Sequence, residues 1–234
     1  MKLSKSKIIT FLSCPMLFRT EYILGQYHTQ NFWEYNGKLI HSLIEHYWKN
    51  AKIVDGNLVY DKDSFVPEVS EQGYNIHEKF NKARKNFISF QLNRFNELKL
   101  KNKLDIFYPA IVEEKLEDYE NELNGIPDWV EVDENGEYGI AELKTNRNFL
   151  FDEYWFELVF YAILLKNTKN IDVKYGVVYN PVVGKYEKRY IIEEDLKWCQ
   201  EIIDYVRMCI NNSNYAHLPG CKCNNFSAKW APEE

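Results

Sequence analysis

Near the start of the chain, apolar residues recur at helical spacing at Ile8, Ile9, Phe11 and Leu12. Ser4 stands ahead of them as a candidate N-cap, and Cys14-Pro15 interrupts or restarts the run. A second helix is predicted over Phe32 to Trp48, with Leu39, Leu43, Ile44 and Tyr47 on one face and His41 near its middle. Residues Ala51 to Gln72 carry Asp55-Gly56 and Pro67 and read as loop, with Gly73 just beyond. A Lys-, Asn- and Phe-rich stretch from Ile76 to Leu98 returns to helical spacing. From Tyr108 the pattern changes to strands: Ile111 to Tyr119, Gly125 to Val132, and Tyr138 to Lys144. Asn135-Gly136 between the last two predicts a hairpin with a type I′ turn. A helix from Asp152 to Leu165, strands at Val173 to Tyr179 and Tyr186 to Ile192, and a helix from Glu193 to Ile210 follow. Helices, three strands, helix, two strands and helix make an α/β chain with a mixed sheet.

No Gly/Ser/Pro-rich linker or internal repeat divides the 234 residues, so one domain is expected. Within it, residues 1–107 are mainly helical, 108–210 form an αβ core, and 211–234 form a polar, cysteine-containing tail. The net charge of −6 excludes a protein that coats nucleic acid by overall basicity, so any such contact must use a local basic patch. Lys82, Arg84 and Lys85, and then Lys99, Lys101 and Lys103, are the candidates; the plainer alternative is solvated helix faces and a loop. No apolar stretch is long enough to span a bilayer, and Lys5, Lys7, Cys14 and Pro15 break up any signal-peptide core at the N-terminus. Five cysteines, an odd number, do not suit a secreted disulfide framework, so a cytoplasmic protein is expected.

The chemistry concentrates in Gly125-Ile126-Pro127-Asp128 and, after the hairpin, Ala141-Glu142-Leu143-Lys144-Thr145. Strand alternation points Glu142 and Lys144 to one face and Leu143 to the other, and the hairpin brings Asp128 beside Glu142. Two carboxylates on adjacent strands suit a hard cation such as Mg²⁺. A neighbouring lysine can orient or help deprotonate a water and offset phosphate charge. On the helix that follows, Glu157 and Tyr161 share a face and bring a third carboxylate within reach. Three converging carboxylates would repel by about 4 kcal/mol per pair at about 4 Å, so a bound cation is the simplest reason for such a cluster. A strand ending in Glu-x-Lys is also a common salt-bridged edge; its combination with Gly-x-x-Asp, the hairpin and the helix is much rarer.

These motifs resemble, in order, the RecB-like branch of the PD-(D/E)xK nucleases, which includes CRISPR-associated exonucleases and phage nucleases. Leu3-Ser4-Lys5-Ser6, Phe11, Cys14-Pro15 and Phe18 resemble its opening motif, and Gly37-Lys38-Leu39-Ile40-His41 its histidine motif. Glu113 or Glu114 matches the acidic position ahead of Gly-x-x-Asp; Asp128, Glu142, Lys144 and Thr145 match the core; Leu158 and Tyr161 match the helix motif. That helix motif ordinarily begins with glutamine, and here the position is Glu157.

The resemblance implies a restriction-endonuclease-like core with a mixed central sheet flanked by helices, plus an N-terminal helical elaboration. It implies a DNA nuclease using Mg²⁺ or Mn²⁺, with His41, Asp128, Glu142 and Glu157 as metal ligands. Asp128, Glu142, Lys144 and Tyr161 would be the catalytic set, with Lys144 positioning the water. DNA ends or single strands are the expected substrate, with recombination, repair or CRISPR adaptation as the setting and a protein of such a pathway as a partner. Many relatives also hold a [4Fe-4S] cluster through one early and three late cysteines. Here Cys14, Cys209, Cys221 and Cys223 would serve, although Cys199 and Cys209 also read as small buried residues of the last helix. The rival is a DNA-binding or assembly protein that keeps the nuclease fold without turnover.

Overall fold

A computed structural model of the protein describes residues 1–26, 32–67, 78–146 and 150–216. The chain opens with α1 (Lys5–Ser13), capped by the Ser4 hydroxyl, which accepts from Lys7 N. Cys14 ends α1 in an extended conformation and starts α2 (Pro15–Phe18), its sulfur accepting from Leu17 N–H at 3.3 Å with Pro15 at the first helical position. A π-helical turn over Arg19–Ile23 follows, then α3 (Phe32–Asn50). The stretch expected to be loop contains a hairpin, β1 (Lys52–Val54) and β2 (Asn57–Val59). Asp55 and Gly56 both have positive φ there (49° and 68°), the turn chemistry of a type I′ hairpin. Next comes α4 (Glu78–Leu100), whose expected first residues, Ile76 and His77, lie outside the described residues.

The predicted strand Ile111–Tyr119 divides. Glu113 at φ 47° separates β3 (Ile111–Val112) from β4 (Leu116–Asp118), and β4 pairs with β5 (Leu123–Gly125) in a small separate hairpin. The predicted strand from Gly125 also breaks, because Pro127 has no N–H for a ladder; β6 begins at Trp129 and ends at Val132. The turn to β7 (Tyr138–Leu143) is not type I′. Gly136 alone takes positive φ (80°), Gly136 N bonds to Asp133 O, and Asp133 N bonds to Glu137 O, so a three-residue loop with a left-handed glycine replaces the expected two-residue turn.

A 3₁₀ turn at Phe151–Tyr154 leads into α5 (Trp155–Lys169), which Asn170 ends in the left-handed conformation (φ 54°). Then come β8 (Val173–Asn180), β9 (Lys185–Tyr190) and α6 (Glu193–Asn211). The central sheet has the order β3-β6-β7-β8-β9; β7 and β8 run parallel across the α5 crossover, and the other pairs are antiparallel. This is an α/β fold with a mixed central sheet flanked by helices and an N-terminal helical region, a restriction-endonuclease-like architecture. Two apolar layers sandwich the sheet. On one face Ile8, Phe11 and Phe18 join Val130, Ile140, Val178, Ile203 and the apolar side chains of α5; on the other, Leu43, Tyr47 and Phe87 meet Trp129, Ala141, Leu143 and Tyr175. Because α5 is apolar nearly all round, it lies almost wholly buried, and Glu157 is buried with it. Among the described residues no helix is long and apolar enough to cross a membrane.

Candidate active site

The β6–β7 register, Trp129 opposite Ala141, extends to set Asp128 opposite Glu142. Alternation along β7 puts Ile140 and Glu142 on the α5 face and Ala141 and Leu143 on the α3 face. Asp128 is pinned through Oδ2, which accepts the Leu143 N–H, leaving Oδ1 free to turn toward His41 Nδ1 at 3.2 Å. His41 comes from α3, which approaches the end of β7 closely; a Cβ on Gly37 would already lie 3.5 Å from Thr145 Oγ1. Glu113, set by its positive φ and by its N–H bond to Asp128 O, brings Oε1 to 3.9 Å from the same His41 nitrogen. His41, Glu113 and Asp128 thus offer three ligand atoms within 4.8 Å of one another. The sequence left Glu113 and Glu114 as alternatives for the acidic position; Glu113 stands in this group, while Glu114 pairs with Lys169 near the surface.

Beside that group lies a second one. Lys144 Nζ is 3.1 Å from Glu142 Oε1 and 2.7 and 2.9 Å from the Glu157 oxygens. Lys5, from the first turn of α1, contacts Glu142 Oε1 and reaches Glu157 Oε2 at 2.8 Å. The side chains of Lys5 and Lys144 are each 17% exposed, those of Glu142 and Glu157 3% and 9%, so the four charges neutralise one another largely out of water. Lys5 belongs to the opening motif, and local sequence pattern does not single it out as a site residue. Leu3 carries it there by bridging Leu123 of β5, with Leu3 N bonded to Glu122 O and Asn124 N to Leu3 O. A lysine at the first position of a helix, where acidic residues suit the dipole better, was the available signal.

Tyr161 supports this arrangement from α5. Its hydroxyl donates to Ile126 O at 2.7 Å, its ring lies under Lys5, and it packs so closely on Gly125 that a Cβ there would sit 2.7 Å from the ring. That contact explains the glycine of Gly-x-x-Asp. Glu157, expected as a metal ligand, pairs with Lys144 and Lys5.

The charges follow from these contacts. Burial would push the His41 imidazole down, but Asp128 beside it and the hydrogen bonds to Asp128 and Glu113 raise its pKa to about 10 in the metal-free site. Burial raises the Glu113 carboxyl, against the pull of His41. Burial would raise Glu142 too, but Lys5 and Lys144 hold it well below the usual carboxylate range. Burial works against charge on Lys144, and the carboxylates of Glu142 and Glu157 more than offset it, so Lys144 is an ammonium at neutral pH.

Among the side chains of these two groups one polar atom is left over: Glu142 Oε2 is buried without a hydrogen-bond partner. An orphaned carboxylate oxygen on Glu142, whose charge acts on His41, together with the converging His41, Glu113 and Asp128, fits a hard divalent cation with mixed O/N ligation. Among the described residues His41, Glu113 and Asp128 are the one group that converges in this way.

The other candidate residues lie elsewhere. Cys14 caps α2, and Cys199 and Cys209 are buried on α6 in the core with Ile203 and Val206, burial pushing the Cys199 thiol up to about 12. Cys221 and Cys223 lie outside the described residues. Of the basic clusters, Lys99 bonds to Gly56 O, and Lys101 and Lys103 to Glu134, tying α4 to the two hairpins; Arg84 pairs with Asp63.

Comparison with known proteins agrees with the geometry. No curated protein matches the chain. In fold it is similar to a crystal structure from Eubacterium rectale described as "Putative exonuclease", with a TM-score of 0.55 and 12% identity over 100% of this chain and 90% of that one; at this identity the likeness is one of fold. A family model for the PD-(D/E)XK nuclease superfamily matches residues 2–225, nearly the whole sequence, and the chain belongs to that superfamily.

Proposed function

We propose that the protein is a divalent-cation-dependent DNA nuclease, of the RecB-like type, that hydrolyses phosphodiester bonds at DNA ends or in single strands. The observation that carries this reading is the convergence of His41, Glu113 and Asp128 beside a buried Glu142 with one oxygen unpartnered. His41, Glu113 and Asp128, with Glu142 Oε2, would hold Mg²⁺ or Mn²⁺. Such a cation stabilises charge on the phosphoryl oxygens and acidifies a water. Lys144, kept as an ammonium, donates to and orients the attacking water and offsets phosphate charge; a charged lysine does not act as the base. Glu142 stays ionised and presents an acceptor at Oε2. Tyr161, its hydroxyl already given to Ile126 O, braces Lys5 and the Gly125 turn. The order of the Ser4-Lys5 start, the α3 histidine and the α5 tyrosine supports the RecB-like assignment. A role in recombination, repair or CRISPR adaptation follows from that assignment.

The test is Mn²⁺-dependent degradation of end-labelled linear single- and double-stranded DNA, with circular DNA and RNA beside them. Wild type should degrade linear DNA, stop with EDTA and spare circles, and Asp128→Asn should lose at least about 100-fold. A folded wild type that binds Mn²⁺ yet cleaves none of these overturns the reading. A folded wild type that binds no Mn²⁺ leaves the non-catalytic scaffold in its place.

A further inference from the structure

Resting on the cation site above, we infer that Lys5 stands as a fixed ammonium where a second divalent cation would otherwise bind, and that the chain holds one catalytic cation. Lys5 Nζ spans one oxygen of each of two carboxylates, Glu142 Oε1 and Glu157 Oε2, which is the bridging arrangement a cation takes between two acidic side chains. Lys144 meets the same two oxygens, at 3.1 and 2.7 Å, and adds Glu157 Oε1 at 2.9 Å, so the pair is shared by two ammoniums and Lys5 is the one that touches only the two bridging oxygens.

Charge accounting agrees. Glu113, Asp128, Glu142 and Glu157 bring four negative charges, and Lys5 and Lys144 return two. One divalent ion with a neutral His41 closes the balance. A second ion would leave two uncompensated positive charges among side chains that are mostly buried, where an unpaired charge is expensive.

Lys5 is also held in place. It opens α1 behind the Ser4 cap, Leu3 ties that end of the helix to β5, and the Tyr161 ring lies 4.9 Å beneath the ammonium. A side chain anchored at both ends is a poor candidate for displacement by a weakly held second ion.

The experiment is Mn²⁺ binding to the whole chain, read as ions bound per chain by calorimetry and by electron paramagnetic resonance of the free ion. Wild type should bind one, and Lys5→Ala, confirmed folded by its melting curve, should bind two, the second between Glu142 and Glu157. Lys5→Gln keeps most of the side-chain volume and should also bind two if the alanine variant does not fold. Two ions on wild type, or one on each folded Lys5 variant, overturns the inference while leaving the nuclease reading intact. No ion on folded wild type overturns both.

Discussion

Replacing Glu157 by glutamine removes one charge from the buried quartet and leaves Lys5 and Lys144 to share Glu142. Each Glu157–lysine contact lies at 2.7–2.9 Å, a gross attraction of about 6 kcal/mol at an effective dielectric of about 20. Much of that attraction is offset by desolvation, and breaking one side of a buried pair typically costs about 3–5 kcal/mol. Both ammoniums keep some access to water, which favours the lower end. A loss of about 3 kcal/mol should lower the melting midpoint of the metal-free protein by roughly 6–12 °C. The measurement is urea and thermal unfolding of wild type, Glu157→Gln, Lys5→Met and the double variant. Removing both charges leaves one lysine on one carboxylate, so the double variant should be destabilised by less than the sum of the single changes. A Glu157→Gln protein as stable as wild type, or strict additivity in the cycle, refutes the claim that these four side chains balance one another.

Three further outcomes are expected. Because the metal-free site raises the His41 pKa to about 10, His41 carries a proton at neutral pH that a cation must expel. Calorimetry in buffers of different ionisation enthalpy should show close to one proton released per Mn²⁺, with affinity climbing as pH rises; His41→Ala should bind weakly and without that release. The same raised pKa stabilises the metal-free fold below the unfolded value near 6.5, a contribution lost as pH climbs toward 10, so the metal-free melting point should fall across that window while the Mn²⁺-bound one falls less. In the sheet, a Cβ at Gly139 would lie 2.0–2.6 Å from the ring of buried Tyr175, and Gly139→Ala should cost about 1–3 kcal/mol or more in urea unfolding.

How much of this was legible in the sequence depends on the range of the forces involved. Periodicity located α4, α6 and β7 to within about two residues wherever those residues are described, because each buries a regular face. Strand alternation and the hairpin were enough to place Asp128, Glu142 and Lys144 together. The reading failed where a single backbone angle decides the path: Glu113 in the left-handed region cuts one predicted strand in two and turns its own carboxylate, not that of Glu114, toward His41. Asp55-Gly56 carried a hairpin signal as strong as any in the chain but lay inside a polar stretch read as loop. Lys5 was hidden for another reason. It meets Glu142 and Glu157 only through the Leu3–Leu123 bridge, a contact across 120 positions that no local pattern encodes.

The most direct test of the central claim is an anomalous-difference map from crystals of the wild-type protein grown with Mn²⁺. The account predicts one strong peak bounded by His41, Glu113, Asp128 and Glu142 Oε2, and its loss in Asp128→Asn. A peak elsewhere in the molecule, or an ordered site with Mn²⁺ in the crystal and no peak among these four side chains, would contradict it.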